Sequence, residues 1–189
     1  MYLPTDNKNI TIIRSERKTL AIQIKNGEVI ARAPKRMKEK DILAFIASKE
    51  TWINSHVSQQ LAKKQEYEKL QPFTQDELNA LAQKAKQLLP AKIEYYAKRI
   101  GVSYNRITIR CHHTRWGSCS ENGNLNFNCL LMLLPDRIID SVVVHELCHR
   151  KHMNHSKLFY EEIAKVFPDY KACHKWLNEN GAVYLSRLP

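Results

Sequence analysis

Alternation of apolar and polar residues near the start of the chain predicts a small β-sheet. Residues 9–14, 19–25 and 28–33 each alternate in this way, which is the period of a half-buried strand. Asn26 and Gly27 separate the second segment from the third, and this dipeptide favours a tight hairpin turn. We therefore expect three strands, two of them joined as a hairpin.

The apolar spacing then changes to that of a helix. Apolar residues recur every three or four positions over about residues 38–61, so we expect a helix there that places Trp52 in the core beside the hairpin. Residues 63–71 are rich in charge and are predicted to be a solvated helix end or a linker.

The next helix begins with a capping signal. Thr74 and Glu77 have the spacing of a capping box, in which each side chain bonds to the other residue's backbone N–H. Pro90 should kink this helix or start a second segment, and Gly101 should end it. We assign this helix a packing role.

Strands and helices then alternate toward the C-terminus. Residues 106–111 and 125–129 are predicted to be paired strands, with residues 121–124 as the turn between them. Three helices follow, beginning at Pro135, after Ser156 and at about residue 170.

The helix that starts near Pro135 carries an H-E-x-x-H motif. His145 and His149 are four residues apart, so on a helix their imidazoles share one face and can reach one metal ion. Glu146 lies off that face, where it can touch a water on the ion and act as a general base. This pattern is typical of a zinc site, in which the ion lowers the pKa of its water from about 16 to about 7.

A catalytic zinc usually has three protein ligands, so a third ligand is expected here. His155 is the preferred candidate, because the chain can turn back toward the ion at Asn154. His152 and two glutamates of the following helix, Glu161 and Glu162, remain rival ligands.

Four motifs, in this order, resemble those of the YgjP-like metallopeptidase-domain family of small bacterial and archaeal proteins. They are residues 114–120 (T-R-W-G-S-C-S), 123–128 (G-N-L-N-F-N), 142–149 (V-V-V-H-E-L-C-H) and 154–156 (N-H-S). The resemblance extends from about Arg14 to the C-terminus. The family is related to the minimal zincins that include the SprT-like and WLM domains.

This resemblance implies a zincin-type fold, with zinc held at the positions of His145, His149 and His155 and a catalytic glutamate at Glu146. Peptidase activity is the expectation from the fold. Members of the family have also been described as nucleotide pyrophosphatases acting on UTP. The substrate class therefore stays open between peptide and nucleotide.

The first of the four motifs carries a second candidate for catalysis. This motif lies between the two predicted strands, and in a zincin a strand of this sort borders the cleft and can pair with an extended substrate backbone. We hypothesise that Arg115 contacts an anionic substrate group or the oxyanion. Gly117 would let the backbone approach another group closely, and Tyr160 or His174 could donate a hydrogen bond to a tetrahedral intermediate.

The composition of the chain limits the cellular compartments and the kinds of partner that we expect for it. The 189 residues include five cysteines without a Cys-x-x-Cys pair, which, with no signal-peptide pattern, predicts a cytoplasmic protein without structural disulfides. The longest purely apolar run, residues 129–134, is too short to cross a membrane. The net charge of +11 would attract phosphate or nucleic acid, although a solvated basic surface is the commoner meaning.

The sequence thus predicts an α+β fold: a zincin-like catalytic domain with the H-E-x-x-H helix at residues 71–189, preceded by an N-terminal β-sheet and helix region at residues 1–70. The predicted function is hydrolysis of a peptide bond, with Zn²⁺ as cofactor and Glu146 activating a zinc-bound water. The alternatives are a metal-dependent nucleotide pyrophosphatase and a zinc-stabilised nucleic-acid-binding module. Nucleic acid is the less favoured partner, because a purely structural zinc takes four protein ligands and has no use for an adjacent base. No pattern indicates the oligomeric state.

Overall fold

The computed structural model describes residues 10–25 and 27–189. Contacts divide the chain between Leu70 and Gln71 into two compact units, and each unit has its own hydrophobic core. Both units combine helices with a three-stranded sheet, so the predicted α+β class is confirmed. None of the helices in the described residues is long and apolar enough to cross a membrane.

The N-terminal unit contains the three predicted strands, β1 (Ile10–Ser15), β2 (Ala21–Lys25) and β3 (Glu28–Pro34). β3 is central; it is parallel to β1 and antiparallel to β2. Lys25 pairs with Glu28, so β2 and β3 form the expected hairpin. Asn26 lies outside the described residues, and Gly27 has a φ of 83°, in the left-handed region that favours glycine.

The single helix predicted after this sheet is two helices in the structure, α1 (Glu39–Ser48) and α2 (Glu50–Glu68). The backbone leaves the helical region at Lys49, with φ −110° and ψ 11°. Ile46 and Ile53 are both buried, and their separation corresponds to about two helical turns. The apolar spacing therefore gives no sign of the break.

The core position predicted for Trp52 is wrong. The buried stripe of α2 is formed by Ile53 and Val57, which are 2% and 4% exposed, whereas Trp52 is 43% exposed. Adjacent helical residues point about 100° apart. Trp52 therefore lies beside the stripe, where its ring packs on His56 with the centroids 4.2 Å apart.

The C-terminal unit begins with a long helix, α3 (Gln75–Ile100). The predicted capping box is confirmed: the Glu77 N–H donates to Thr74 Oγ1 at 3.3 Å, and the Thr74 N–H donates to the Glu77 carboxylate at 2.7 Å. Pro90 does not start a second segment, because the helix continues through it. Pro90 is exposed. Water can therefore bond to the backbone carbonyl that would otherwise accept a hydrogen bond from an N–H at this position. Gly101 ends the helix with a φ of 74°.

The sheet of this unit differs from the predicted hairpin. Its strands, β4 (Ile107–Arg110), β5 (Gly117–Cys119) and β6 (Leu125–Asn128), lie in the order β4-β6-β5. β4 pairs with β6 as predicted, but the two strands are parallel, and the turn at residues 121–124 joins β5 to β6 instead. β5 is not among the predicted strands, because three residues are too few to show the alternation of a strand.

A short 3₁₀ helix, Cys129–Leu133, leads from β6 to the remaining helices. These helices of residues 71–189 are α4 (Asp136–Cys148), α5 (Lys157–Val166), α6 (Tyr170–Asn180) and α7 (Ala182–Leu185). α4 is central and packs against α3, α5, α6 and β5. Its predicted apolar stripe is buried, which anchors the motif-bearing end of the helix in the core.

Candidate metal centre

The C-terminal end of α4 carries the H-E-x-x-H motif. Val143 and Leu147 of α4 are both 0% exposed, so the motif is on a helix held firmly in the core. His145 and His149 project from one face, because residues four apart on a helix are neighbours. α4 ends at Cys148, and the chain bends near residues 153–154 before His155.

The three histidines meet around one point. His145 Nε2 is 3.2 Å from His149 Nε2 and 3.1 Å from His155 Nε2, and the three ligand atoms all lie within 4.8 Å of one another. Nitrogens about 2.1 Å from a tetrahedral zinc are about 3.4 Å apart. The set of three imidazoles therefore fits a metal ion of this size.

Hydrogen bonds at the opposite ring nitrogens orient two of these imidazoles. His145 Nδ1 lies 2.7 Å from the Tyr170 hydroxyl, and His149 Nδ1 lies 3.1 Å from the His152 carbonyl oxygen. A carbonyl oxygen can only accept, so His149 Nδ1 carries the proton and Nε2 keeps its lone pair. When the Tyr170 hydroxyl accepts a hydrogen bond from His145 Nδ1–H, His145 Nε2 likewise has a free lone pair for a metal ion.

Phe159 on α5 packs against all three imidazoles. Its ring centroid is 5.0 Å from those of His145 and His155 and 4.6 Å from that of His149. Burial, with a smaller effect from the other histidines, lowers the pKa of His145 to about 3. Burial also lowers the pKa of His149. Both rings are therefore neutral at neutral pH, which is the form that binds a metal.

The rival ligands have other contacts. Glu162 accepts hydrogen bonds from Lys151 Nζ at 2.5 Å and from Lys165 Nζ at 2.8 Å, and these bonds lower its pKa. Glu161 forms an ion pair along its own helix, and the ring of His152 is outside the cluster. His155 is the candidate that the fold brings to the other two histidines.

The carboxyl of Glu146 is buried against a glycine of β5. Only 6% of Glu146 is exposed, and a Cβ added at Gly117 would lie 2.7 Å from both Cγ and Oε1 of Glu146. The close approach expected at Gly117 is thus an approach to this carboxyl. Burial raises the pKa of Glu146 to about 8, against the opposing charge of Arg115. A raised pKa makes the carboxylate form a stronger base, and a cation held at the neighbouring histidines would favour that charged form near neutral pH.

A cavity of about 180 Å³ opens beside His145 and Glu146. Trp116, Val142 and Leu177 give it a largely apolar wall. Such a cavity can accept an apolar group of a substrate that is bound at the three histidines.

A second cavity, of about 440 Å³, shares Tyr170, His174 and Asn178 with the first. Lys171, Lys175 and Glu179 also line it, and Glu179 pairs with Lys175 at 3.9 Å. The two cavities therefore meet along one side of α6, and the second has two lysines and one carboxylate next to the candidate metal centre.

Arg115 is near the site but outside the smaller cavity. Its charge opposes the raised pKa of Glu146, yet it is not among the described residues that line the 180 Å³ cavity. The buried Asn128 side chain donates to the Arg115 carbonyl at 3.0 Å and to the His112 carbonyl at 2.7 Å. Asn128 therefore fixes the loop that carries Arg115.

Sequence reasoning missed two supporting residues, Tyr170 of α6 and Asn128 of β6. No regular spacing connects Tyr170 to the H-E-x-x-H motif. Asn128 ends the G-N-L-N-F-N motif, which was the signal that could have found it. The proposed donors Tyr160 and His174 both line the larger cavity.

Comparisons with known proteins identify a matching family and a similar solved structure. The profile of the family "YgjP-like, metallopeptidase domain" matches residues 18–80 and 74–180. No curated protein sequence matches the chain. Among solved structures, the chain is similar to the crystal structure of the metallopeptidase zymogen of Pyrococcus abyssi abylysin, with a TM-score of 0.45 and 21% sequence identity over 50% of this chain and 96% of that one. Because the profile matches well over half of its length, the chain belongs to the YgjP-like metallopeptidase domain family.

Proposed function

We propose that this protein is a zinc-dependent hydrolase that cleaves peptide bonds. Membership of a metallopeptidase family implies a catalytic metal, typically zinc. The observation that carries the proposal is the convergence of three imidazole nitrogens beside the buried carboxyl of Glu146. His145, His149 and His155 would hold the ion, and three protein ligands leave a tetrahedral position open.

When bound, zinc supplies a Lewis acid that makes water acidic enough to act as a nucleophile near neutral pH. Glu146 takes the proton of the attacking water at a carboxylate oxygen and returns it to the nitrogen of the leaving amine. The raised pKa of this carboxyl supports the first of these transfers. Because Gly117 has no side chain, the Glu146 carboxyl can occupy this position against β5.

The position of β5 supports a peptide as the substrate. This strand is at an edge of its sheet and contacts Glu146 through Gly117. An extended peptide can add to a sheet edge through backbone hydrogen bonds. One of its side chains would then enter the apolar cavity next to Glu146. Arg115 would bind an anionic group of the substrate, and Tyr160 or His174 would donate to the oxyanion.

A nucleoside triphosphate is the alternative substrate, and one observation favours it. Lys171 and Lys175 line the cavity next to the candidate metal centre, where their charges, partly offset by the Glu179 carboxylate that pairs with Lys175, would attract phosphate groups. Hydrolysis would use the same three histidines and Glu146, with attack at phosphorus instead of carbon. The net charge of +11 also supports the third candidate, a nucleic-acid-binding module. A structural zinc usually has four protein ligands and no adjacent base, so this third candidate has less support.

Glu146→Gln tests the proposed reaction. The metal content of the purified protein is measured first, and turnover is then measured on an unstructured protein and on a panel of nucleoside triphosphates. We expect Glu146→Gln to keep the metal and to lower kcat/KM for protein cleavage by about 10²- to 10⁴-fold, since it removes a general base. Glu161→Gln, a change on the exposed part of α5, is the matched control and should keep full turnover.

The result also separates the three candidates. Pyrophosphate release that is lost in Glu146→Gln, without cleavage of protein, would replace the peptidase proposal with a nucleotide hydrolase. Cleavage that persists in Glu146→Gln would remove this residue from the reaction. Nucleic-acid binding that is unchanged in Glu146→Gln, with no turnover of either substrate, would favour the binding module. Arg115→Ala tests the anionic contact, because unchanged turnover at unchanged metal content would exclude it.

A further inference from the structure

Two cysteines lie side by side where β4 and β6 end. Cys111 Sγ and Cys129 Sγ are 2.6 Å apart, and both residues are free thiols. The two sulfur atoms of a disulfide are about 2.05 Å apart. A movement of roughly 0.5 Å would therefore bring these thiols to bonding distance.

The strand register independently places the two cysteines together. In the parallel pair of β4 and β6, the last partners are Arg110 and Asn128, so Cys111 and Cys129 occupy the next position on each side. Neighbouring strands are about 4.8 Å apart. This separation is within the range of roughly 4.4–6.8 Å that a disulfide spans between Cα atoms.

The two thiols differ in their access to solvent. Cys111 is exposed, whereas Cys129 is 0% exposed. Burial raises the pKa of Cys129 to about 12, and the contact with Cys111 adds to this effect. Since the thiolate is the reactive form, reagents in solution should react first at Cys111.

We propose that Cys111 and Cys129 form a reversible disulfide by exchange with a low-molecular-weight disulfide such as glutathione disulfide. The pair would be a modification site separate from the three histidines. A reducing compartment disfavours permanent structural disulfides, but it allows a bond that forms and reopens. In such a compartment the two free thiols would be the resting form.

The exchange proceeds in two balanced steps. The Cys111 thiolate attacks one sulfur of the oxidant, which forms a mixed disulfide at Cys111 and releases one small thiolate. Cys129 Sγ then attacks the Cys111 sulfur, its proton passes to the second leaving thiolate, and the protein disulfide forms. Two protein thiols are thereby oxidised by two electrons, and one molecule of the oxidant is reduced to two thiols.

The bond would close the segment that faces Glu146. Cys111 and Cys129 are 18 positions apart, and the segment between them includes Arg115 and all of β5. Oxidation would join the two ends of this segment without adding a group to the cavity. The redox state would thus control how firmly β5 is held.

Mass spectrometry of the full chain tests the proposal. The protein is equilibrated with buffers of reduced and oxidised glutathione, quenched with acid, alkylated and digested. We expect a single intramolecular link between Cys111 and Cys129 that dithiothreitol reverses. The oxidised protein should melt at least about 5 °C higher than the reduced protein, because the bond restricts the unfolded chain.

Two variants make the test specific. Cys111→Ser, at an exposed position, should abolish the link and the difference in melting temperature, while Cys129 stays unreactive in the folded protein. Cys173→Ser removes a buried cysteine of α6 and should keep both. A stable glutathione adduct at Cys111, or links to Cys119 as frequent as the expected one, would overturn the proposal. An absence of any protein disulfide at the most oxidising buffer would do the same.

Discussion

Tyr170 connects α6 to the candidate metal centre. Its hydroxyl is 2.7 Å from His145 Nδ1, opposite the nitrogen that faces the other two histidines. Hydrogen bonds of this kind fix the tautomer and the ring orientation of a metal-binding histidine. Tyr170 also lines both cavities. The hydroxyl therefore bonds to His145, while the residue also forms part of the cavity walls.

Removing the hydroxyl alone should weaken metal binding. We expect Tyr170→Phe to lower zinc affinity by about 10- to 100-fold, because His145 loses the partner that orients it. The ring keeps its packing, so the free energy of unfolding should change by only about 1 kcal/mol. Competition with a chromophoric chelator measures the affinity. Tyr160→Phe, which removes a hydroxyl from the same cavity wall, is the control, and an equal loss there would contradict the role of Tyr170.

Gly117 is the second residue with a sharp prediction. Gly117→Ala would put a methyl group 2.7 Å from Glu146 Cγ and Oε1, so the carboxyl must move. We expect turnover to fall strongly, while zinc affinity stays within about threefold because the histidines are untouched. The free energy of unfolding should fall by about 1–3 kcal/mol. Kinetics and metal titration are measured together.

Ser118→Ala is the matched control for Gly117→Ala. It changes the next residue of β5, where the Ser118 hydroxyl accepts from the Asn126 amide at 3.2 Å. This substitution adds no atom next to Glu146, so turnover should be nearly normal. Full turnover in Gly117→Ala would show that the close approach at this position does not position Glu146.

At the scale of elements, α5 is joined to the end of α4 by charge. Lys151, which follows α4, and Lys165 on α5 both donate to the carboxylate of Glu162. His155 lies in the segment between α4 and α5. This cluster of three charges therefore stabilises the turn that brings His155 to the other histidines.

The contribution of this cluster should depend on pH. The bonds from Lys151 and Lys165 lower the pKa of Glu162 below its ordinary value of 4.5, so the stabilisation is present above pH 4.5 and is lost as the pH falls through the folded-state pKa. We expect Glu162→Gln to destabilise the protein by about 0.5–1 kcal/mol at pH 7 and to match the wild type at low pH. Urea unfolding at several pH values measures this. A deficit that does not change with pH would exclude the charge as its cause.

The elements also show where sequence patterns are sufficient. The capping box at Thr74 and the apolar stripe of α4 were predicted, because the first is a contact between residues three apart and the second repeats at the helical period. The parallel pairing of β4 with β6 was not predicted, since it depends on where the chain returns after β5. The break at Lys49 was invisible, because the buried residues on either side of it keep a helical period.

At the scale of the whole molecule, metal binding should stabilise the C-terminal unit. A ligand that binds only the folded state adds about 2.7 kcal/mol at a concentration 100 times its Kd. We therefore expect the melting temperature to rise by about 5–10 °C between chelator-treated protein and protein with excess zinc. His149→Ala should lose this response, while His113→Ala, an exposed histidine outside the cluster, should keep it. An unchanged melting temperature in the wild type would contradict a zinc site at these residues.

The sequence by itself determined the features of this protein that depend on residues close together in the chain. The H-E-x-x-H spacing on an apolar helix predicts two imidazoles and a carboxylate at fixed positions, because a helix converts spacing into geometry. Only the tertiary structure decided the rest: that the preferred candidate His155, and not one of its rivals, lies beside these imidazoles, that Tyr170 bonds to one of them, and that Glu146 is buried against Gly117. These contacts join residues from different helices and strands, and their positions depend on how the whole core packs.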